Sequence, residues 1–127
     1  MKNKAFLSIL AATVWISISE FVRNQFLLNH YWIEHYKSMG LTFPSEPING
    51  AIWGVWSLLF ATSIYLVSRK FNLIQTAFLS WTVGFVLMWI SIGNLGVLPV
   101  GMLWYAIPLS MLEAFLASWI IKKIGKQ

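Results

Sequence analysis

Glu113 is the most conspicuous chemical group in this chain. It is the one charged residue in the apolar run from Val100 to Ile121. A run of that length can cross a bilayer, and an ionised carboxylate near the midplane costs about 2.5–3.5 kcal/mol even on the lenient insertion scale. Protonation would turn it into a neutral hydrogen-bond donor, whereas a partner such as Arg23, or a bound cation, would keep it charged. Its structural use is a polar staple between helices; its functional use is proton or cation handling. Pro108, five residues earlier, leaves the Trp104 carbonyl without its helical donor and can kink the helix beside the carboxylate, a common transporter device.

Glu20, Arg23 and Asn24 form a second constellation, since positions 20, 23 and 24 share one helical face. Continuing that helix adds Leu27, His30, Tyr31, Glu34 and His35 to a stripe of similar direction. The structural reading is a Glu20–Arg23 pair with Arg23 snorkelling to the headgroups; the functional reading is a polar vestibule leading outward. His30 and Glu34 could hold two corners of a metal site, but His35 points elsewhere on the same helix, so no metal site is expected. An enzyme acting on a lipid or quinone at the outer face would need His30, Glu34 and His35 to converge with Asn94 or Glu20. Aspartate and cysteine are absent, so acidic chemistry falls to Glu20, Glu34, Glu46 and Glu113, and thiol chemistry and disulfides are excluded. There is no nucleophile elbow, Gly-rich phosphate loop or His-Glu-x-x-His motif, no catalytic residue stands out, and nothing calls for a cofactor.

The elements that carry these residues follow from composition. With 58% hydrophobic and 10% charged residues, the chain is far too apolar for a water-soluble domain. A bilayer core needs about 20 apolar residues per helix, and four segments supply them: about 5–28, 51–67, 73–92 and 100–121. The expected fold is therefore an all-α integral membrane protein, one domain of four transmembrane helices in an antiparallel up-down bundle. The start, Met1 to Ser19, also has the layout of a secretory signal peptide; it is read here as the first helix. The connection 29–50 is a long outer loop whose first half can be helical, with Tyr31, Trp32 and Tyr36 at the interface.

Basic residues set the orientation. Lys2 and Lys4, Arg69 and Lys70, and Lys122, Lys123 and Lys126 all fall on one side if the N-terminus is cytoplasmic, leaving Lys37 alone on the other. The positive-inside rule then gives two cytoplasmic termini in the cell membrane and argues against dual insertion. The formal charge of +5 flanks apolar spans, so its partners are anionic lipids and not nucleic acid.

Gly50, Gly54, Ser57 and Ala61 in the second helix, and Ser110, Ala114 and Ser118 in the fourth, form small-residue stripes that let helices approach within a bundle or in a homodimer. Trp15, Trp81, Trp89 and Trp104 lie nearest the carboxylates in depth, where aromatic faces could cage a cation, although belts and packing account for most such residues. Trp15-Ile-Ser-Ile-Ser-Glu20 is echoed by Trp89-Ile-Ser-Ile-Gly-Asn94, as a tandem helical-hairpin repeat would be. In outline the chain resembles small multidrug exporters, which have about four helices and a membrane-embedded glutamate in the first, matched here by Glu20. The surrounding SISEFVRN does not reproduce their motif and the long outer loop has no counterpart, so the resemblance implies only that a bundle this small can transport if it dimerises.

The expected function is binding or transport of a small solute (a cation, proton or amphiphile) at Glu113, Glu20, Arg23 and Asn24. The alternative is an accessory or scaffold subunit of a larger membrane complex, in which intramembrane charges only lock helices together. An internal pair between Glu113 and Arg23 would favour that alternative.

Overall fold

The computed structural model describes residues 2–125; Met1, Lys126, Gln127 and the side chain of Lys2 lie outside it, so the first and third basic clusters are described in part. Among the described residues the chain is all helical, without strands. Four helices are long and apolar enough to cross a membrane: Asn3–Leu27, Pro47–Ser68, Leu73–Asn94 and Val100–Gly125. The all-α, four-span expectation is borne out at that level.

Helix α1 (Lys2–Val22) runs directly into a wide π turn, Arg23–Leu27. At Leu28 the backbone (φ −116°, ψ 10°) leaves the helical region, and a separate helix α2 (Asn29–Ser38) follows. The connection between the first two spans is thus helical over its first ten residues. Gly40 ends α2 at φ +74°, where a side chain would be strained; its N–H bonds to the Lys37 carbonyl (3.0 Å) and that of Leu41 to Tyr36 (2.9 Å). Both orphan carbonyls are thereby satisfied, and Gly96 closes the third span in the same way.

Helix α3 (Pro47–Ser68) starts four residues before the apolar run that hydropathy marks. Pro47 at its first turn has no N–H to leave unsatisfied, and Asn49 Oδ1 accepts the Glu46 N–H at 2.9 Å. Asn72 and Gln75 cap α4 (Leu73–Trp81) reciprocally, each side chain accepting the other's backbone N–H (2.9 and 3.2 Å). A second π turn, Thr82–Val86, joins α4 to α5 (Leu87–Asn94), and a 3-10 turn, Val100–Met102, opens α6 (Leu103–Gly125), which continues through Pro108.

The bundle is centred on α6, which packs against α1, α4 and α3, while α1 also packs on α3. The small stripes divide by role: Ser57, Ala61, Ser110, Ala114 and Ser118 are fully buried between helices, whereas Gly50 is exposed and Gly54 half-buried. Phe60, Phe85 and Trp89 fill the centre with partly buried Trp56, their rings 5.0–5.9 Å apart. Gly84 is required there, because a Cβ at that position would come within 2.5 Å of the Phe60 ring. Large apolar side chains such as Phe6, Val14, Leu59, Ile74, Phe78 and Ile90 stand more than half exposed on the outside. That surface suits lipid and not water.

Candidate functional site

The four residues expected to form an intramembrane site are brought together. Arg23, at the start of the π turn, reaches across to α6 and donates from Nη1 to Glu113 Oε1 at 3.0 Å, and from Nη2 to Glu20 Oε1 at 2.6 Å. Asn24 Nδ2 donates to the other Glu20 oxygen at 3.1 Å, and Trp32 Nε1 donates to Asn24 Oδ1 at 3.1 Å. Residues 23 and 24, three and four positions on, lie one helical turn from Glu20, and Trp32 of α2 folds over them.

Burial makes the arrangement energetically demanding. Glu113 is fully buried, and Glu20 and Arg23 retain 5% and 6% of their surface. The Phe85 ring lies under the guanidinium, 5.1 Å from Cζ, so a cation–π contact replaces part of its lost hydration. Trp15 Nε1 donates to the Glu113 main-chain carbonyl at 3.0 Å and fixes α1 against α6 at the carboxylate's own level. The Glu20 carboxyl and Ser19 hydroxyl also lie beside Glu113, yet its Oε2 is buried with no partner in hydrogen-bonding geometry. Two carboxylates therefore share one guanidinium. Fully ionised, the cluster carries one uncompensated negative charge, which a proton or a cation would neutralise.

Glu20 faces open space on its other side. Two adjoining cavities, of about 460 and 370 Å³, both reach Glu20, Asn24, Asn49 and Trp53. The smaller lies under α2 and is walled by Trp32, Tyr36, Phe43 and Trp89, with Arg23 at its edge. Its roof is held by the return of the chain after α2: Phe43 stacks on Trp32 at 5.7 Å and meets Tyr36 edge-on at 5.2 Å. The backbone of α5 stands farther from the other spans than that of α4, and this leaves the room at the α2 end of the bundle.

The residues of the proposed outer-face group do not converge in this way. His30 is exposed with its ring against Tyr31, Glu34 and Asn94 are exposed, and His35 Nε2 lies 2.7 Å from the Gly96 carbonyl, tying α2 to the turn after α5. The single stripe drawn from Glu20 to His35 is broken by the π turn and by Leu28, which re-aim everything after Asn24. Among the described residues no group of three His, Cys, Asp or Glu is placed to hold a metal ion. Trp104, expected near the carboxylates, is 85% exposed, and Trp81 instead donates to Ser110 at 2.9 Å. The WISIS echo has no matching geometry, since the π turn follows it in the first span and precedes it in the third. Sequence reading missed Trp32, Phe43, Asn49 and Trp53 as cleft residues; the proline pair 44 and 47, which turns the chain back over the bundle, was the available signal.

Comparisons with protein families, with curated proteins and with solved structures find no match to this chain. Function therefore rests on the geometry alone.

Proposed function

We propose that this chain is a multi-pass membrane protein that binds, and in the membrane moves, a small cationic solute at the Glu20–Asn24 cleft. The observation that carries this reading is the Glu20–Arg23–Glu113 cluster, which has one more acid than base and presents Glu20 to an aromatic-walled cavity. Each Glu20 oxygen already accepts one bond, and a quaternary ammonium in the cleft, which needs no hydrogen bond, can pair with the carboxylate's charge without displacing Arg23 or Asn24. Trp53 and Trp89 line the same cavity, where aromatic rings can attract that charge. The empty cluster holds a proton that the cation replaces, which couples solute to proton at a fixed site.

The internal Arg23–Glu113 pair favours the scaffold reading in part, because it removes Arg23 and one Glu113 oxygen from any exchange. It leaves Glu20 open and the charge unbalanced, and a pure staple would gain nothing from either. We place the helices in an antiparallel up-down bundle with both termini in the cytoplasm and the cleft at the outer face of the cell membrane, on the strength of the basic clusters.

Titration calorimetry with tetraethylammonium on nanodisc-embedded protein tests the site. The parent chain should bind and Glu20→Gln should not, with both showing the same helix content. Equal binding by both would refute the assignment. For orientation, Ser45→Cys should react with a membrane-impermeant thiol reagent in intact cells and Gln127→Cys should not; the reverse pattern would invert the topology.

A further inference from the structure

The larger cavity has features that a site for a compact cation does not need. It is a groove between α1 and α3, running from the Pro44–Glu46 segment down to Ser17 and Ser57. From Pro47 to Ser57 is ten residues, so the groove is about 15 Å long. Below it the helices are in close contact through Ser57 and Ala61, both fully buried. Within it, Gly50 and Gly54 face empty space: a Cβ added at either would meet nothing within 4 Å. In small-residue stripes glycine ordinarily lets two helices touch; here the two glycines leave a trough where the helices diverge.

The lining has one sign of charge. Glu20 lies at the inner wall and Glu46 at the rim, and among the described residues no lysine or arginine lines the trough. Ser57 spends its hydroxyl on the Trp53 carbonyl (2.9 Å), and no charged residue stands beside it and Ser17 at the deep end among the described lining residues. The rims, Phe21 and Trp53, are 57% and 42% exposed, and they stand on spans whose outer faces are apolar. A ligand fitting this surface has a cationic head for Glu20 and an apolar tail for the trough.

Resting on the reading of Glu20 as a cation site, we infer that the solute is a single-chain amphiphile with an ammonium head, admitted sideways from the membrane between α1 and α3. Its head sits at Glu20 and Asn24 against Trp53, and its tail lies along Gly50 and Gly54. The same head could belong to a free alkylammonium or to a choline-headed lipid.

The test uses a dodecyltrimethylammonium probe carrying a photoreactive diazirine in its tail, with the protein in phosphatidylglycerol nanodiscs. Labelling should concentrate on residues 17–21 and 50–57 and be competed by alkyltrimethylammonium ions in order of chain length. Gly54→Phe, or Gly50→Leu as a second variant, puts a side chain into the trough at a position where a Cβ meets nothing within 4 Å, and should abolish this labelling while tetraethylammonium binding persists. Labelling spread evenly over the outer faces of all four spans, or unchanged by both variants, would overturn the inference while leaving the Glu20 site standing. Loss of the Glu20→Gln effect on tetraethylammonium would instead remove the underlying reading. Repeating the labelling with lysophosphatidylcholine added to the nanodiscs identifies the source: suppression means that a single-chain choline-headed lipid occupies the trough, and persistence means a free amphiphile.

Discussion

Glu20, Arg23 and Asn24 on one side, and His30, Glu34 and His35 on the other, are similar in chemical type and lie within sixteen residues of each other, yet their fates are opposite. In the first group Glu20 and Arg23 are buried and Asn24 half-buried, and Arg23 links them to α6 through Glu113; the second stands on the exposed face of α2 or, at His35, ties that helix to a turn. The difference arises from five residues of π turn and the break at Leu28. A regular helix would have carried one stripe through both groups. Arg23 and Asn24, three and four residues on, stay beside Glu20 as on any helix, and the wide turn releases the rest. Polar residue types alone therefore do not mark a site in such a chain; what marks it is the backbone that decides which of them go dry.

The contrast is most strongly tested at its two cations. Replacing Arg23 by Leu leaves two carboxyl groups facing each other in a buried site, and breaking a buried pair in this way costs about 3–5 kcal/mol. Lys37→Leu removes an exposed charge and should stay within about 0.5 kcal/mol. Thermal unfolding of the two variants in the same detergent measures the gap; equal melting temperatures would dissolve the distinction between the regions.

A smaller effect is expected under the guanidinium. Gly84→Val forces the Phe60 ring away from the π turn, and that ring is hemmed in by Trp56 and Phe85. Overpacking of this kind costs about 1–3 kcal/mol. Because Phe85 supports Arg23, the same variant should also weaken cation binding, which an effect confined to packing would leave alone.

Asn24→Ala removes the link from Trp32 to Glu20 and should weaken tetraethylammonium binding about tenfold or more, as the loss of one charge-assisted hydrogen bond implies. Glu34→Ala, on the exposed face, should change binding by less than about twofold. Comparable losses in both would mean that α2 contributes a site of its own.

Much of this architecture is legible in the amino-acid sequence. Four apolar runs mark the four spans because hydropathy over about 20 residues is a strong signal, and Glu113, Glu20, Arg23 and Asn24 stand out because charge inside such runs demands a partner. The π turns are not legible, since RNQFL and TVGFV contain nothing that distinguishes a wide turn from a regular one. The start of α3 is missed because Pro47 to Gly50 reads as a turn by composition, whereas proline is equally at home in a helix's first turn. The cleft is missed because its walls come from α2, α3 and α5 together with the chain around Phe43, and only their three-dimensional convergence defines it.

The central claim is that the cluster carries one carboxylate more than its arginine can neutralise and exchanges a proton for a cation at Glu20. Titration calorimetry of tetraethylammonium binding in two buffers of different ionisation enthalpy tests this directly, because this ligand has no proton of its own to give. The account predicts that about one proton is released for each cation bound, and that the release disappears in Glu113→Gln, where Gln keeps the shape of the side chain but holds no exchangeable charge. Cation binding with no proton released by the parent protein would contradict it.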